Sequence, residues 1–262
     1  MPEGEKVDKK TERLTVATLN IEWFGKAGYE KDNTALFSQM EGCDLVGVQE
    51  ITDPSLFQKD ASDFLGKEWN FVATDYPMQK VGLLYNSLRL KSLLFKTCDE
   101  VDVGKRVRPA LLGEFQLIET GLLIGVLVVH LKSGKKKKDI RIRRTQWKEL
   151  TWIIKELCAD MCMLLLGDVN CFNGRGENLE ELKPFIKATG FVLITAGHEY
   201  TMTKRCGGRV DHILISPTLA PHLEGVSVGG ACRPDCAIHV EESNIYWATV
   251  SDHCMVSAAF AA

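Results

Sequence analysis

Short apolar runs that stop on, or start from, an acid, an amide or an imidazole recur through this chain, and that recurrence constrains the fold most. MLLLGDVN (163–170) shows the pattern, with apolar residues passing straight into Gly-Asp-Val-Asn. Side chains alternate faces along an extended chain, so Asp168 and Asn170 leave such a strand on the same side. Taken singly, the pair also suits a turn, where Asp and Asn bond their own backbone. The repetition argues for more. LTVATLN stops on Asn20, DLVGVQE on Glu50 and LLIGVLVVH on His130, while RVDHILIS and DHCMVSAAF begin beside Asp211, Asp252 and His253.

The segments between these runs decide the class. Asn33–Met40 suits a helix, and so does Pro54–Leu65, with Asp53 placed to cap it and Pro54 at its first position. Residues Asp139–Asp160 carry helical period, Trp147, Leu150, Ile153, Ile154 and Leu157 forming the inner face. A further helix falls near Asn178–Ala188. WNFVATD, VGLLYN, LRLKSLLF and ALLGEFQLI follow one another as strands with little room for helices, which favours an antiparallel or mixed sheet there, and GFVLIT reads as another strand. No repeat or low-complexity linker divides the chain. The expectation is a single α/β domain over 14–262, two packed sheets with helices outside, behind a disordered arm at 1–13.

Composition excludes little. No apolar run approaches the roughly 20 residues that cross a bilayer, and MPEGEKVDKKTER lacks the apolar stretch of a signal peptide. An exported parent with its leader removed reads the same way. Nine cysteines, several inside apolar runs, suit buried thiols in a reducing, cytoplasmic setting. Cys206, Cys232, Cys236 and His239 also offer a zinc ligand set, and Cys232 with Cys236 a disulfide.

Were the polar strand ends to meet at one edge, they would form a pocket of several carboxylates and two histidines. Oxygen ligands of this kind suit Mg²⁺, with Mn²⁺ as a substitute, and the absence of a cysteine-rich ligand set speaks against catalytic zinc.

The order of LNIEWFG, DLVGVQE, VVHLKSG, LLLGDVN, GRVDHILIS and SDHCMVSAAF resembles that of the motifs in the endonuclease/exonuclease/phosphatase superfamily, the deoxyribonuclease I-like fold. The resemblance runs from about residue 14 to 260 and is nearest in pattern to bacterial nuclease-like members. It implies a four-layer α/β sandwich with the site at one edge of the sheets. It also implies roles. Glu50 becomes the principal Mg²⁺ ligand, with Asn20 beside it and Glu22 where some members place a second metal carboxylate. Asp168 orients or deprotonates the attacking water, and Asn170 holds a phosphate oxygen. His253, polarised by Asp211, contacts the scissile phosphate, Asp252 serves the metal and water network, and His130 sits on the phosphate's other side. The sequence departs from deoxyribonuclease I where a glutamate partners the first histidine, since MQKVGLLYN puts Gln79 or Lys80 there.

GKKKKDIRIRR (134–144) sets seven basic residues against one acid immediately after His130 and Lys132. Beside the site, Lys132, Lys135 and Lys136 are expected on a phosphate backbone, and Arg106 and Arg108 join them by resemblance. Gln146 reads as ordinary helix surface. The resulting expectation is a Mg²⁺-dependent phosphodiesterase, first a deoxyribonuclease of low sequence specificity, monomeric, with DNA as partner and no membrane. RNA, a phosphoinositide, another phosphoester, or a binding module that has lost its chemistry are the alternatives.

Overall fold

The computed structural model describes residues 13–158, 161–171, 179–195, 201, 208–229, 232 and 240–262. The apolar runs become strands. β1 (Arg13–Phe24), β2 (Leu45–Ile51), β3 (Trp69–Ala73) and β4 (Lys80–Asn86) join β11 (Leu223–Val228) and β12 (Val256–Ala261) in one sheet, ordered β11-β12-β1-β2-β4-β3. The second sheet, ordered β5-β6-β7-β8-β10-β9, contains β5 (Leu90–Cys98), β6 (Ala110–Leu117), β7 (Leu123–His130), β8 (Cys162–Asp168), β9 (Val192–Leu193) and β10 (Asp211–Ile215).

The sheets pack face to face. Leu14, Val16, Leu45 and Leu83 of the first meet Phe115, Val126, Leu164 and Ile213 of the second. Each of these side chains removed from water contributes about 1.5–3 kcal/mol. The outer face of the first sheet is covered by α1 (Asn33–Ser38) and α2 (Pro54–Leu65), with Phe37 and Phe57 against Leu19 and Val48. Tyr246 of α5 (Val240–Thr249) packs on the same side. The outer face of the second is covered by α3 (Lys137–Leu157) and α4 (Lys183–Thr189), which bring Trp147, Leu150 and Phe185 onto Leu127 and Val129. The result is the expected four-layer α/β sandwich.

Several boundaries differ from expectation. The α2 cap is as read, with Asp53 accepting from the Leu56 amide at 2.9 Å. Helix α3 begins two residues before Asp139, because Asp139 accepts from the Lys136 backbone and closes the first turn from inside. The helix expected over 178–188 narrows to α4, and GFVLIT pairs only at Val192 and Leu193. β11 and α5 carry too little periodicity for sequence to single out. Cys232 is disulfide-bonded to Cys254, so it is neither a zinc ligand nor the partner of Cys236. Cys206, Cys236 and His239 lie outside the described residues. Cys43, Cys98, Cys158, Cys162 and Cys171 are free.

Candidate active site

Strand direction gathers the polar ends. β1 and β2 are parallel, and so are β7 and β8, which brings Asn20, Glu50, His130 and Asp168 to the same edge. Four antiparallel neighbours then start where these strands stop. β10 opens on Asp211, paired directly with Asp168. β12 follows Asp252 and His253 and runs antiparallel to β1. Gln79 precedes β4 beside the end of β2, and Arg108 precedes β6 beside the end of β7.

Two backbone features aim these groups. Gly167 has φ +143°, and a Cβ there would stand 2.0 Å from the Val129 carbonyl, so only glycine lets β8 lie this close to β7 just before Asp168. Glu22, Trp23, Glu50 and Asn170 adopt left-handed φ of 49°, 59°, 66° and 50°. Such conformations cost about 1–3 kcal/mol each and persist where surrounding structure over-determines them. Here bulges at the ends of β1 and β2 swing the carboxylates over the edge.

Asn20 ties the two sheets together. Its Nδ2 donates to Glu50 Oε1 at 3.2 Å and to Asp168 Oδ2 at 3.3 Å, while its Oδ1 accepts from the Glu22 amide at 3.0 Å. Asp168 Oδ1 accepts from the Asn170 amide at 2.9 Å. Asp168 is thus a turn former with one oxygen and a site residue with the other. The Asn170 side chain donates to the Leu131 carbonyl at 3.1 Å.

His253 and Asp211 form a buried pair, Nδ1 to Oδ2 at 2.8 Å. Ser251 fixes the turn before it, donating to the Asn20 carbonyl at 2.6 Å and accepting from the His253 amide at 3.0 Å. Thr201 Oγ1 accepts from the Val210 and Asp211 amides, both at 3.1 Å, and so sets the start of β10. Burial works against the imidazolium of His253, yet Asp211, Asp168 and Asp252 outweigh it and raise the pKa to about 10. Burial, then the charge of Asp211, pushes Asp168 up to about 7, against the opposing pull of His253. Asp168, Asp211 and His253 each place a ligand-capable atom within 4.8 Å of the others. The imidazolium already balances charge there, so this cluster is better suited to protons than to a cation.

His130 is different. Its Nε2 lies 3.4 Å from Asp168 and 3.9 Å from Glu50, and burial together with the charges of Arg108 and His253 holds its pKa well below 6.5. It is a neutral imidazole inside the cluster. Neither Gln79 nor Lys80 serves as its partner: Gln79 bridges Glu50 and Arg108. Arg108 accordingly reaches the site, with Glu50 and Asp168 as charged neighbours, while Arg106 is exposed.

Half-buried carboxylates line the rim. The side chains of Glu50, Glu22 and Asp252 are 15, 20 and 18% exposed, against 4% for Asp168 and 0% for Asp211. All three offer oxygen alone. Such oxygens are the kind of donor a hard, partly hydrated cation takes, although they do not gather as tightly as Asp168, Asp211 and His253 do.

The basic stretch divides. Lys135, Lys136, Lys137, Lys138, Arg141 and Arg144 are exposed. Arg143 is not: it is 2% exposed, paired with Glu181 at 2.9 Å, and donates to the Lys132 and Gly134 carbonyls at 2.7 Å. Gln146, also buried, accepts from the Lys132 amide at 2.9 Å rather than facing solvent. Lys132 turns back on its own loop, with Nζ donating to Ser133 O at 2.7 Å and lying 3.6 Å from Asp139. Sequence pattern gave no signal for the roles of Gln79, Arg143 and Gln146, because their partners are distant in the chain.

Two mixed sheets, helices on both outer faces and a polar cluster where parallel strands end together define the endonuclease/exonuclease/phosphatase fold. Solved structures share it. TDP2 of D. rerio, complexed with a single-strand DNA product, superposes with TM-score 0.73 at 17% identity over 95% of this chain and 98% of its own. A mannosyl-6-phosphatase of Bacteroides thetaiotaomicron gives TM-score 0.70 at 16% identity over 94% and 98%. The human Nocturnin catalytic domain with bound sulfate gives TM-score 0.69 at 16% identity over 97% and 95%. At such identities the likeness is one of fold. No family model matches the chain, and no curated protein does.

Proposed function

We propose that this chain is a divalent-metal-dependent phosphodiesterase, with DNA as its first substrate. The observation that carries the reading is the buried Asp211–His253 pair set against Asp168 and the Glu50 rim. Phosphodiester hydrolysis needs positive charge at a repelling anion and a base aligned opposite the leaving group. His253, held as an imidazolium, donates to a non-bridging phosphate oxygen. Asp168 takes the proton of the attacking water. Arg108 and the Asn170 carboxamide orient the phosphate, and neutral His130 fills the space beside it as a hydrogen-bonding wall rather than a proton donor. Glu50, Glu22 and Asp252 would hold Mg²⁺ or Mn²⁺, which when bound supplies charge stabilisation at phosphorus. The product from DNA is a 5′-phosphate end.

The DNA product in the D. rerio TDP2 structure supports a nucleic-acid substrate, and the exposed lysines following the site agree with it. A second reading keeps the site and changes the ester. The mannosyl-6-phosphatase on the same fold supports it. Supercoiled plasmid incubated with Mg²⁺, with and without chelator, separates the readings. Chelator-sensitive nicking is expected. Intact plasmid together with phosphate release from small esters favours the second reading, and inertness toward both overturns the enzyme.

A further inference from the structure

Trp23 and Tyr29 are rings that the core leaves unused. Both are half-buried, yet among the described residues neither joins any of the three apolar clusters that hold the layers together. They meet each other instead, with centroids 6.1 Å apart and planes tilted by 42°. The ammonium of exposed Lys26 lies over both, 3.7 Å from the Trp23 ring centre and 5.1 Å from that of Tyr29. One short loop thus carries two aromatic faces with a cation resting on them.

That loop belongs to the edge where the site lies. Trp23 directly follows Glu22, and the loop returns at Lys31, whose Nζ is 3.8 Å from Glu22 Oε2. Phe24 pairs with Ile51 in the parallel ladder, so Trp23 and Glu50 occupy matching positions on neighbouring strands. The loop is also fixed in shape. The Phe24 carbonyl accepts from the Thr52 amide at 2.9 Å and from its hydroxyl at 2.7 Å. A Cβ on Gly25, which has φ +82°, would stand 2.6 Å from Asp53 Cβ. The Lys26 amide donates to the Trp23 carbonyl at 3.1 Å, and the Tyr29 amide to the Lys26 carbonyl at 3.0 Å. These bonds hold Trp23 on its left-handed backbone, the kind of strain that persists at ligand clamps.

We infer that Trp23 and Tyr29 form a stacking site for an unpaired nucleotide base beside the carboxylate rim, with Lys26 yielding its place to the base. The inference rests on the nucleic-acid reading above and narrows it to single strands and frayed ends. Magnitudes decide the exchange. Stacking one base on an aromatic side chain is worth roughly 5- to 150-fold in affinity. An exposed cation–π contact is worth about 2- to 5-fold. A base therefore displaces the ammonium, which is then free to neutralise a phosphate of the same strand. A base inside an intact duplex is already stacked on its neighbours and gains nothing from the rings.

The test reads binding rather than turnover. In the presence of chelator, fluorescence anisotropy follows three labelled probes added to the full chain: an oligo-dT strand, an abasic strand with the same backbone, and the dT·dA duplex. The wild-type chain is expected to bind oligo-dT at least about fivefold more tightly than the abasic strand. Trp23→Leu and Tyr29→Leu should each shrink that preference while leaving affinity for the abasic strand and the duplex in place. Lys26→Met should keep the preference and lower the log–log salt slope for the single strand by roughly 0.7, the value for one phosphate. Circular dichroism checks the fold of each variant. Equal binding of the two strands by the wild-type chain overturns the inference, as does a full preference in folded Trp23→Leu. A loss shared equally by all three probes also overturns it, since that is what a purely structural role produces. An unchanged slope in Lys26→Met overturns the part given to Lys26. If Trp23→Leu does not fold, Tyr29→Leu decides, and an unchanged preference there contradicts the site. No binding of any probe, with small phosphoesters still hydrolysed in Mg²⁺, overturns this inference and the DNA substrate and leaves the phosphoesterase intact.

Discussion

The two sheets end at the same edge in contrasting ways. The first sheet brings Glu22, Glu50 and Asp252 there half-buried, two of them on left-handed backbone and open to a hydrated ion. Two residues before His253, Ser251 fastens that segment to the Asn20 carbonyl. The second sheet brings His130, Asp168 and Asp211 almost fully buried, with Asp168 and Asp211 in direct register. Partial exposure leaves carboxylate oxygens within reach of a hydrated cation. Burial raises the proton affinity of Asp168, and Asp211 raises that of His253, so the second side suits proton transfer. Asn20, bonded to Glu50 and Asp168 at once, joins the two environments.

This division can be broken by substitution. The largest effect is expected on the buried side: Asp168→Asn and His253→Ala should each lower kcat by about 10²–10⁴-fold, the range for loss of a positioned acid or base. Thermal melts should show both proteins folded. Comparable turnover in either folded variant would remove the proton-handling role. On the rim, Glu50→Gln should instead raise the Mg²⁺ concentration needed for half-maximal activity, read from metal titrations at saturating substrate. An unchanged requirement would mean that the two sides do not divide the work.

The pH profile sharpens the contrast. Asp168 must lose its proton to act, so activity rises through about 7, and His253 must keep its proton, so activity falls as pH passes about 10. Asp211→Asn removes the charge that raises His253 and should draw the falling limb toward lower pH. An alkaline limb that stays in place in the variant would separate it from His253. The smallest effect is expected from the outer surface. Replacing Lys135, Lys136, Lys137 and Lys138 with alanine should leave kcat in place, raise KM for DNA and flatten its salt dependence, the log–log slope falling by roughly one for each phosphate that is no longer neutralised. An unchanged slope would take the lysines out of the interface.

Much of the scaffold was legible because strands such as LLIGVLVVH and MLLLGDVN announce themselves by apolar runs with abrupt polar ends. The cap at Asp53 was legible for a local reason as well, since side chain and backbone partner are three residues apart. What was hidden depends on packing. Nothing in NIEWFG marks Glu22 and Trp23 as left-handed, because neither is the glycine or asparagine that such a conformation favours. Gln79 sits where sequence put a partner for His130, but the bulge after Gln49 carries Glu50 within its reach first. Arg143 looked like one more cation in a basic run. Only the position of Glu181, 38 residues away, reveals that it points inward.

That inward arginine insulates the chemistry from the exterior. Because its guanidinium staples the 132–134 turn to α3 from beneath, charges on the outer face of the helix can be added or stripped without moving the histidine at the end of β7. A chain built this way can be retuned toward different polyanions by repainting its surface, with the machinery underneath left untouched.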